Sequence, residues 1–204
     1  MRGLIALSLL FLSTVSHADA VASLERFFQT TRSLSGEFTQ QVFQNEGGKI
    51  SQSKGKFELA RPDRFRWAYL KPHEQILVSD GRALWIYDKD LAQVTVRRVG
   101  KALGQAPIAL LGGATPLTKN YSLKDAGNSK GLEWVKLSPK QLQNAQFQKI
   151  LLGLSNGLIR KMILFDSFGH RTVITFEKVH RNIRLPEKDF QFKAPKGVDV
   201  VDMM

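Results

Sequence analysis

Residues 55–94 read GKFELARPDRFRWAYLKPHEQILVSDGRALWIYDKDLAQV, and the period of this stretch is two. In Arg64–Tyr69 an extended chain puts Phe65, Trp67 and Tyr69 on one face and Arg64 and Arg66 on the other. Ser53–Ala60 alternates in the same way, with Gly55, Phe57 and Leu59 opposite Lys54, Lys56 and Glu58. Arg61-Pro62-Asp63 and Pro72 interrupt the pattern, because proline fixes φ and lacks a ladder donor. Asp80-Gly81 is a hairpin turn joining Gln75–Ser79 to Ala83–Tyr87. A segment so dense in short alternating strands sets the class as mainly β and antiparallel.

Working outward, Asp19–Thr31 has helical spacing, with Val21, Leu24, Phe28 and Thr31 in one stripe widened by Phe27. The period returns to two at Phe38, Gln40 and Val42, and Asn45–Gly48 is a turn. Gln93–Val99 is a further strand. Pro107–Leu111 fits one short helix, closed by Gly112-Gly113. Strands then follow at Tyr121–Lys124, Leu132–Leu137 and Phe147–Leu152. Asn156-Gly157 is the turn of a hairpin whose second arm carries Ile159, Lys161, Ile163 and Phe165. After a turn near Phe168-Gly169, Thr172–Val179 and Asp189–Phe192 complete the series. The spacing of turns implies about ten or eleven strands, with neither βαβ alternation nor internal repeat. A strongly curved or partly closed antiparallel sheet follows, its open side capped by the two helical pieces.

The N-terminus is of another kind. Met1-Arg2, the apolar run Leu4–Val15 and the small residues of Ser16-His17-Ala18 form a secretory leader over 1–18, with a second cleavage option at Ala20. The leader's apolar run of twelve residues is too short to span a bilayer, and the mature chain, 19–204, is a single exported domain with no membrane-length apolar run. It holds no cysteine, so packing rather than disulfides must stabilise it. It also lacks the residue on which an N-terminal lipid anchor would be built. With 30 basic against 18 acidic residues the net charge is +12, yet the basic residues are scattered. Export makes nucleic acid an improbable partner. A transient contact with anionic headgroups fits the charge, as does a merely solvated basic surface.

Catalytic patterns are missing. His73, His170 and His180 lack zinc-type spacing, no GxSxG elbow or GxxxxGK[ST] loop occurs, and Ser79-Asp80-Gly81 reads as a turn. The expectation is a protein that is not an enzyme and needs no metal or other cofactor.

The ordered set of elements — G-x-F-x-L-x-R-P at Gly55–Pro62, F-x-W-x-Y at Phe65–Tyr69, I-L-V-S-D-G at Ile76–Gly81 and L-W-x-Y at Leu84–Tyr87 — resembles the outer-membrane lipoprotein carrier (LolA) family of Gram-negative periplasms. The resemblance extends to Phe38-Thr39-Gln40, to Pro107–Leu111 and to F-x-F-x-x-P-x-G-V at Phe190–Val198. It implies an unclosed (half) antiparallel β-barrel with a lid of short α-helices over an apolar cavity. It further implies a monomeric periplasmic carrier of triacylated lipoproteins. The cargo would come from an inner-membrane ABC transporter (LolCDE) and go to an outer-membrane receptor lipoprotein (LolB). By the same resemblance Arg61 holds the lid closed, and Phe65, Trp67 and Tyr69 line the acyl-chain cavity together with Phe57, Leu59, Ile76, Val78, Ile108 and Leu111. Alternation alone fits an ordinary sheet core as well. A carrier or sensor of another lipid or amphiphile on the same fold is the alternative function.

Overall fold

The computed structural model describes residues 19–44, 47–98, 107–113, 115–143 and 145–203. The leader, the Asn45-Glu46 part of the first turn and Val99 lie outside the described residues.

Helix α1 (Ala20–Thr30) begins where Asp19 accepts the Val21 N–H on its side chain at 2.9 Å. It ends as the β-branched Thr31 turns to extended backbone. Its buried stripe is Ala20, Leu24 and Phe27, and Val21 and Phe28 flank it. The Ala20 N–H, an orphan of the first turn, donates to the Asp125 carboxylate at 3.1 Å. Strands β1 (Ser33–Phe43), β2 (Lys49–Ala60), β3 (Arg64–Lys71), β4 (Gln75–Asp80), β5 (Ala83–Asp88) and β6 (Gln93–Arg98) follow as a meander. Two single-turn helices come next, α2 (Ala109–Gly112) and α3 (Leu117–Asn120). A second meander runs through β7 (Tyr121–Ser129), β8 (Leu132–Pro139), β9 (Phe147–Ser155), β10 (Leu158–Asp166) and β11 (Arg171–Arg181). A 3-10 turn (Glu187–Phe190) and β12 (Asp199–Asp202) end the chain.

All twelve strands form one sheet in the order β12-β6-β5-β4-β3-β2-β1-β11-β10-β9-β8-β7. β1 is the seam between the meanders, pairing with β2 on one side and β11 on the other. The edges, β12 and β7, do not pair, so the sheet is an unclosed half-barrel. The Asn156-Gly157 turn has both residues at positive φ, 52° and 67°, as a two-residue hairpin requires.

Directly opposed residues share a face, so the register sorts the side chains. On the concave face Trp67 lies between Phe57 and Leu77, and Phe65 lies between Leu59 and Ser79. Beyond the seam that face continues through Phe176, Ile174, Met162, Leu152 and Val135. These residues form the main core together with α1 and α2. A smaller core lies on the convex face, where Ala83, Val94 and Val96 with Trp85 and Tyr87 meet Phe192, Ala194 and Val198 of the C-terminal segment.

One reading of the elements needs correction. Asp189–Phe192 is not a strand; the 3-10 turn and an extended crossing occupy it, and the last strand is β12, which pairs with β6 in parallel. In β10 a bulge after Ile159 shifts the alternation, and Met162 and Leu164 are the buried members beyond it. Helix α3 is an element that no period announced.

Candidate functional site

The concave face is built from flat rings on glycines. A Cβ on Gly55 would fall 2.5 Å from Phe38 Cζ, and one on Gly36 would fall 2.9 Å from the Phe57 ring. Without those side chains, Phe38 and Phe57 lie down on the neighbouring strands. Phe38 then stacks on Trp67 with ring centroids 3.7 Å apart, and Tyr69 stands edge-on to Phe38 at 5.3 Å. The Tyr69 hydroxyl donates to Gln40 Oε1 at 3.1 Å, and burial raises its pKa above that of free tyrosine. This aromatic floor is sealed by the helices. Leu24 and Phe27 of α1, Ile108 just before α2 and Leu111 within it belong to the same buried cluster, and Phe65, Trp67 and Leu59 are each 0 % exposed.

The sequence-derived site residues divide by face. Phe57, Leu59, Phe65, Trp67, Tyr69, Ile108 and Leu111 all come together in the concave cluster. Ile76 and Val78 do not. They pair with Ala68 and Arg66, and therefore point to the convex face. The concave residue of β4 is Leu77, opposite Trp67 and 1 % exposed. The run Ile76-Leu77-Val78 is apolar on both faces because both faces of β4 are covered, so alternation there has no phase to read.

Arg61 stands at the turn between β2 and β3, under both helices. Its Nε donates to the Leu111 carbonyl of α2 at 3.0 Å. Its Nη1 donates to the Thr31 carbonyl at 2.9 Å and to the Phe28 carbonyl, both at the C-terminal end of α1. Those carbonyls are the unsatisfied acceptors of a helix end, where a cation is favoured. The guanidinium also lies over the Phe28 ring at 4.4 Å. Burial lowers its pKa to about 10, which leaves it charged at neutral pH. Hydrogen bonds of this charged kind contribute about 1.5–3 kcal/mol each. Against them stand the desolvation of the guanidinium and its buried Nη2, which has no hydrogen-bond partner among the described residues. A single side chain thus ties both helices to the sheet through main-chain acceptors, with a small net balance.

The same turn holds α2 by its backbone. The Asp63 N–H donates to the Gly112 carbonyl at 2.9 Å, and the Ser79 hydroxyl donates to the Asp63 carbonyl at 2.7 Å. Gly112 sits so close to Leu59 that a Cβ would meet its Cδ1 at 3.0 Å, and this lets α2 lie flat on β2. Ser79 therefore serves the turn. A groove of about 590 Å³ opens between α1 and the α2–α3 connection, lined by Leu24, Phe28, Arg61, Pro116, Leu117 and Leu123. Sequence reasoning missed Leu77, Phe38 and this groove; only Phe38 carried a signal, its place in an alternating strand. Among the described residues no cluster of three or more His, Asp or Glu is placed to hold a metal ion, and no helix is long and apolar enough to cross a membrane.

Comparison with known proteins places this geometry. The family model described as outer membrane lipoprotein carrier protein LolA matches residues 29–193. An outer-membrane lipoprotein carrier protein of Dechloromonas aromatica is 46 % identical over 190 residues, covering 93 % of this chain and 91 % of that protein. One of Chromobacterium violaceum is 45 % identical over the same shares of both chains. Among solved structures, a LolA superfamily protein of Nitrosomonas europaea superposes with a TM-score of 0.52 at 14 % identity, covering 86 % of this chain and 98 % of its own. An uncharacterized conserved protein of Thermus thermophilus superposes with a TM-score of 0.57 at 14 % identity, covering 90 % of this chain and 96 % of that one. At such identity the superpositions speak for the half-barrel fold, and the family match rests on sequence over most of the chain: this protein belongs to the outer-membrane lipoprotein carrier (LolA) family.

Proposed function

We propose that this protein is a periplasmic carrier of triacylated lipoproteins, and that the acyl chains occupy the concave face of the half-barrel after α1 and α2 lift from it. In this reading the cargo comes from the inner-membrane ABC transporter LolCDE and passes to the outer-membrane receptor LolB. Each buried methylene is worth about 0.8 kcal/mol, so one bare acyl chain in water costs on the order of 10 kcal/mol. A lipoprotein with several chains therefore needs an apolar shelter to cross an aqueous gap. That shelter must match a bilayer without exceeding it, or delivery would stall.

The observation that carries the reading is the latch: an aromatic and aliphatic face fully covered by two helices that one arginine, Arg61, bonds to the sheet. Acyl chains entering from the groove beside α1 would take the places of Leu24, Phe27, Ile108 and Leu111 against Phe57, Leu59, Phe65, Trp67 and Tyr69. Ring faces exchanged for methylenes make the exchange nearly neutral in apolar area, and the latch sets the difference between empty and loaded forms. No group in this scheme performs covalent chemistry, and no cofactor takes part.

The test is capture. The mature protein, incubated with spheroplasts, is expected to return to the soluble fraction in a complex with triacylated lipoprotein, and to surrender it to receptor-bearing vesicles. Mass spectrometry of the complex that finds free lipids and no lipoprotein would overturn the reading in favour of a carrier of another amphiphile.

A further inference from the structure

The connections β1–β2, β3–β4, β5–β6, β8–β9 and β10–β11 all leave the sheet at one end of the strands, as the alternation of a meander requires. Five large apolar residues in or beside these connections are exposed: Ile50 at 51 %, Leu70 at 46 %, Leu91 at 69 %, Leu142 at 67 % and Phe168 at 83 %. The other exposed large apolar residues among those described belong to the C-terminal segment, where Ile183 follows β11 at the opposite end of the strands, and the hairpin turns at that end carry none. The five connections are neighbours in sheet order, so the exposed side chains follow one rim.

The charges of that rim are unevenly used. The carboxylates of the described connections are engaged within the rim, by their own loop or by the neighbouring one. Lys89 donates to Glu74, the His73 ring meets Asp90 at 3.0 Å, and Asp88 accepts the Leu91 N–H. Asp166 accepts the N–H groups of Phe168 and His170 and faces the His170 ring. The cations are left over. Lys54 and Lys71 are directly opposed across β2 and β3, an arrangement that destabilises a sheet unless an anion lies between them. Lys149 lies over the Phe165 ring at 3.8 Å and Arg171 over Phe43 at 4.7 Å, with no carboxylate on either among the described residues.

We propose that this rim docks on a bilayer surface carrying anionic headgroups, with the apolar loop tips entering the interface and Lys54, Lys71, Lys149 and Arg171 meeting phosphates. Apolar tips beside uncompensated cations are the composition of an interfacial membrane contact. An acidic protein would match the charge but would need a separate pocket for each of five spaced tips, whereas a fluid interface accepts all of them. Three of the tips, Leu91, Leu142 and Phe168, sit in loops rather than in the packed sheet, so replacing them leaves the cores intact. The inference concerns the protein without cargo and stands apart from the carrier reading.

Flotation of the cargo-free mature protein with vesicles tests it. Vesicles containing phosphatidylglycerol are expected to retain the protein at low ionic strength, neutral phosphatidylcholine vesicles are not, and added salt should release it. Lys54→Glu with Lys71→Glu is expected to weaken retention by tenfold or more, on the order of what two surface charges contribute. Leu91→Ser with Phe168→Ser should weaken it while circular dichroism stays unchanged, and Ile183→Ser, at the far end of the strands, should not. Absence of wild-type retention, or equal retention by the charge-reversed protein, overturns the proposal. Rim variants that keep vesicle retention but lose transfer to the receptor overturn it too, and assign the rim to a protein partner.

Discussion

The two faces of β4 and β5 are both covered, but by different means. On the concave side α1 and α2 are fastened by side-chain donors from Arg61 and by one main-chain bond from Asp63. On the convex side the C-terminal segment is fastened by a strand ladder between β12 and β6 and by aromatic packing of Phe192 on Tyr87, centroids 5.8 Å apart. A ladder spreads its bonds over many residues, whereas a latch concentrates them in one. The first kind of cover yields only with the sheet; the second yields to a single competing event. In the proposed carrier the concave side is therefore the one that opens.

The largest test strikes the floor itself. Trp67→Ala empties the best-packed position of the concave face and should cost about 3–5 kcal/mol in urea unfolding. Trp85→Ala, on the half-buried convex side, should cost less than half as much. Equal losses would erase the distinction between a principal and a satellite core. Next is the latch. Arg61→Leu removes three charge-assisted bonds together with their desolvation, and is expected to destabilise the closed helices by about 2–3 kcal/mol. Hydrogen exchange should then quicken in α1 and α2 and stay slow in β12; uniform quickening would mean that Arg61 supports the whole fold rather than a lid.

Deleting residues 199–204 is a milder change, worth about 1–2 kcal/mol, since it uncovers Val94 and Val96 and frees the β6 edge. Exchange at α1 should not change in that variant. The smallest effect is electrostatic. Burial, reinforced by the Asp189 charge and partly offset by Arg66, raises the Glu58 pKa above 4.5. A raised carboxylate pKa means that the folded state holds the proton more tightly. Its favourable contribution is complete below 4.5 and is lost as pH rises through the folded value. Glu58→Gln should therefore firm the C-terminal segment at neutral pH by a few tenths of a kcal/mol, given its solvent screening. Slower exchange near the 3-10 turn would register it, and a loss of protection there would reverse the sign.

Much of this architecture was legible before any coordinates. Phe65, Trp67 and Tyr69 alternate with arginines because only one face of β3 is apolar, and the Asp80-Gly81 and Asn156-Gly157 turns punctuate where they must. The phase failed where both faces are covered: at Ile76-Leu77-Val78, and around the bulge in β10. β12 was invisible because four residues pairing in parallel carry no period. For Arg61 the position came from family resemblance, and no sequence signal could name its acceptors, since all three are main-chain carbonyls. Of the rim's apolar tips only Phe168 was read, as part of a turn, because an exposed apolar side chain acquires meaning only beside its neighbours in space.

The seam at β1 sets the order of assembly. Each meander is made of hairpins whose partners are adjacent in sequence, so each can form soon after its residues emerge. The seam is different: Phe43 must find Arg171, and Phe38 must find Phe176. Joining them closes most of the chain into a loop, a slow step in a topology of high contact order. Until it happens, Phe38 and Phe176 have no common floor, and the Phe176 ring is missing from beside Phe57 and Trp67. The concave face is therefore the last part of the molecule to be completed, and a chain halted short of β11 would present its apolar surface as two open sheets.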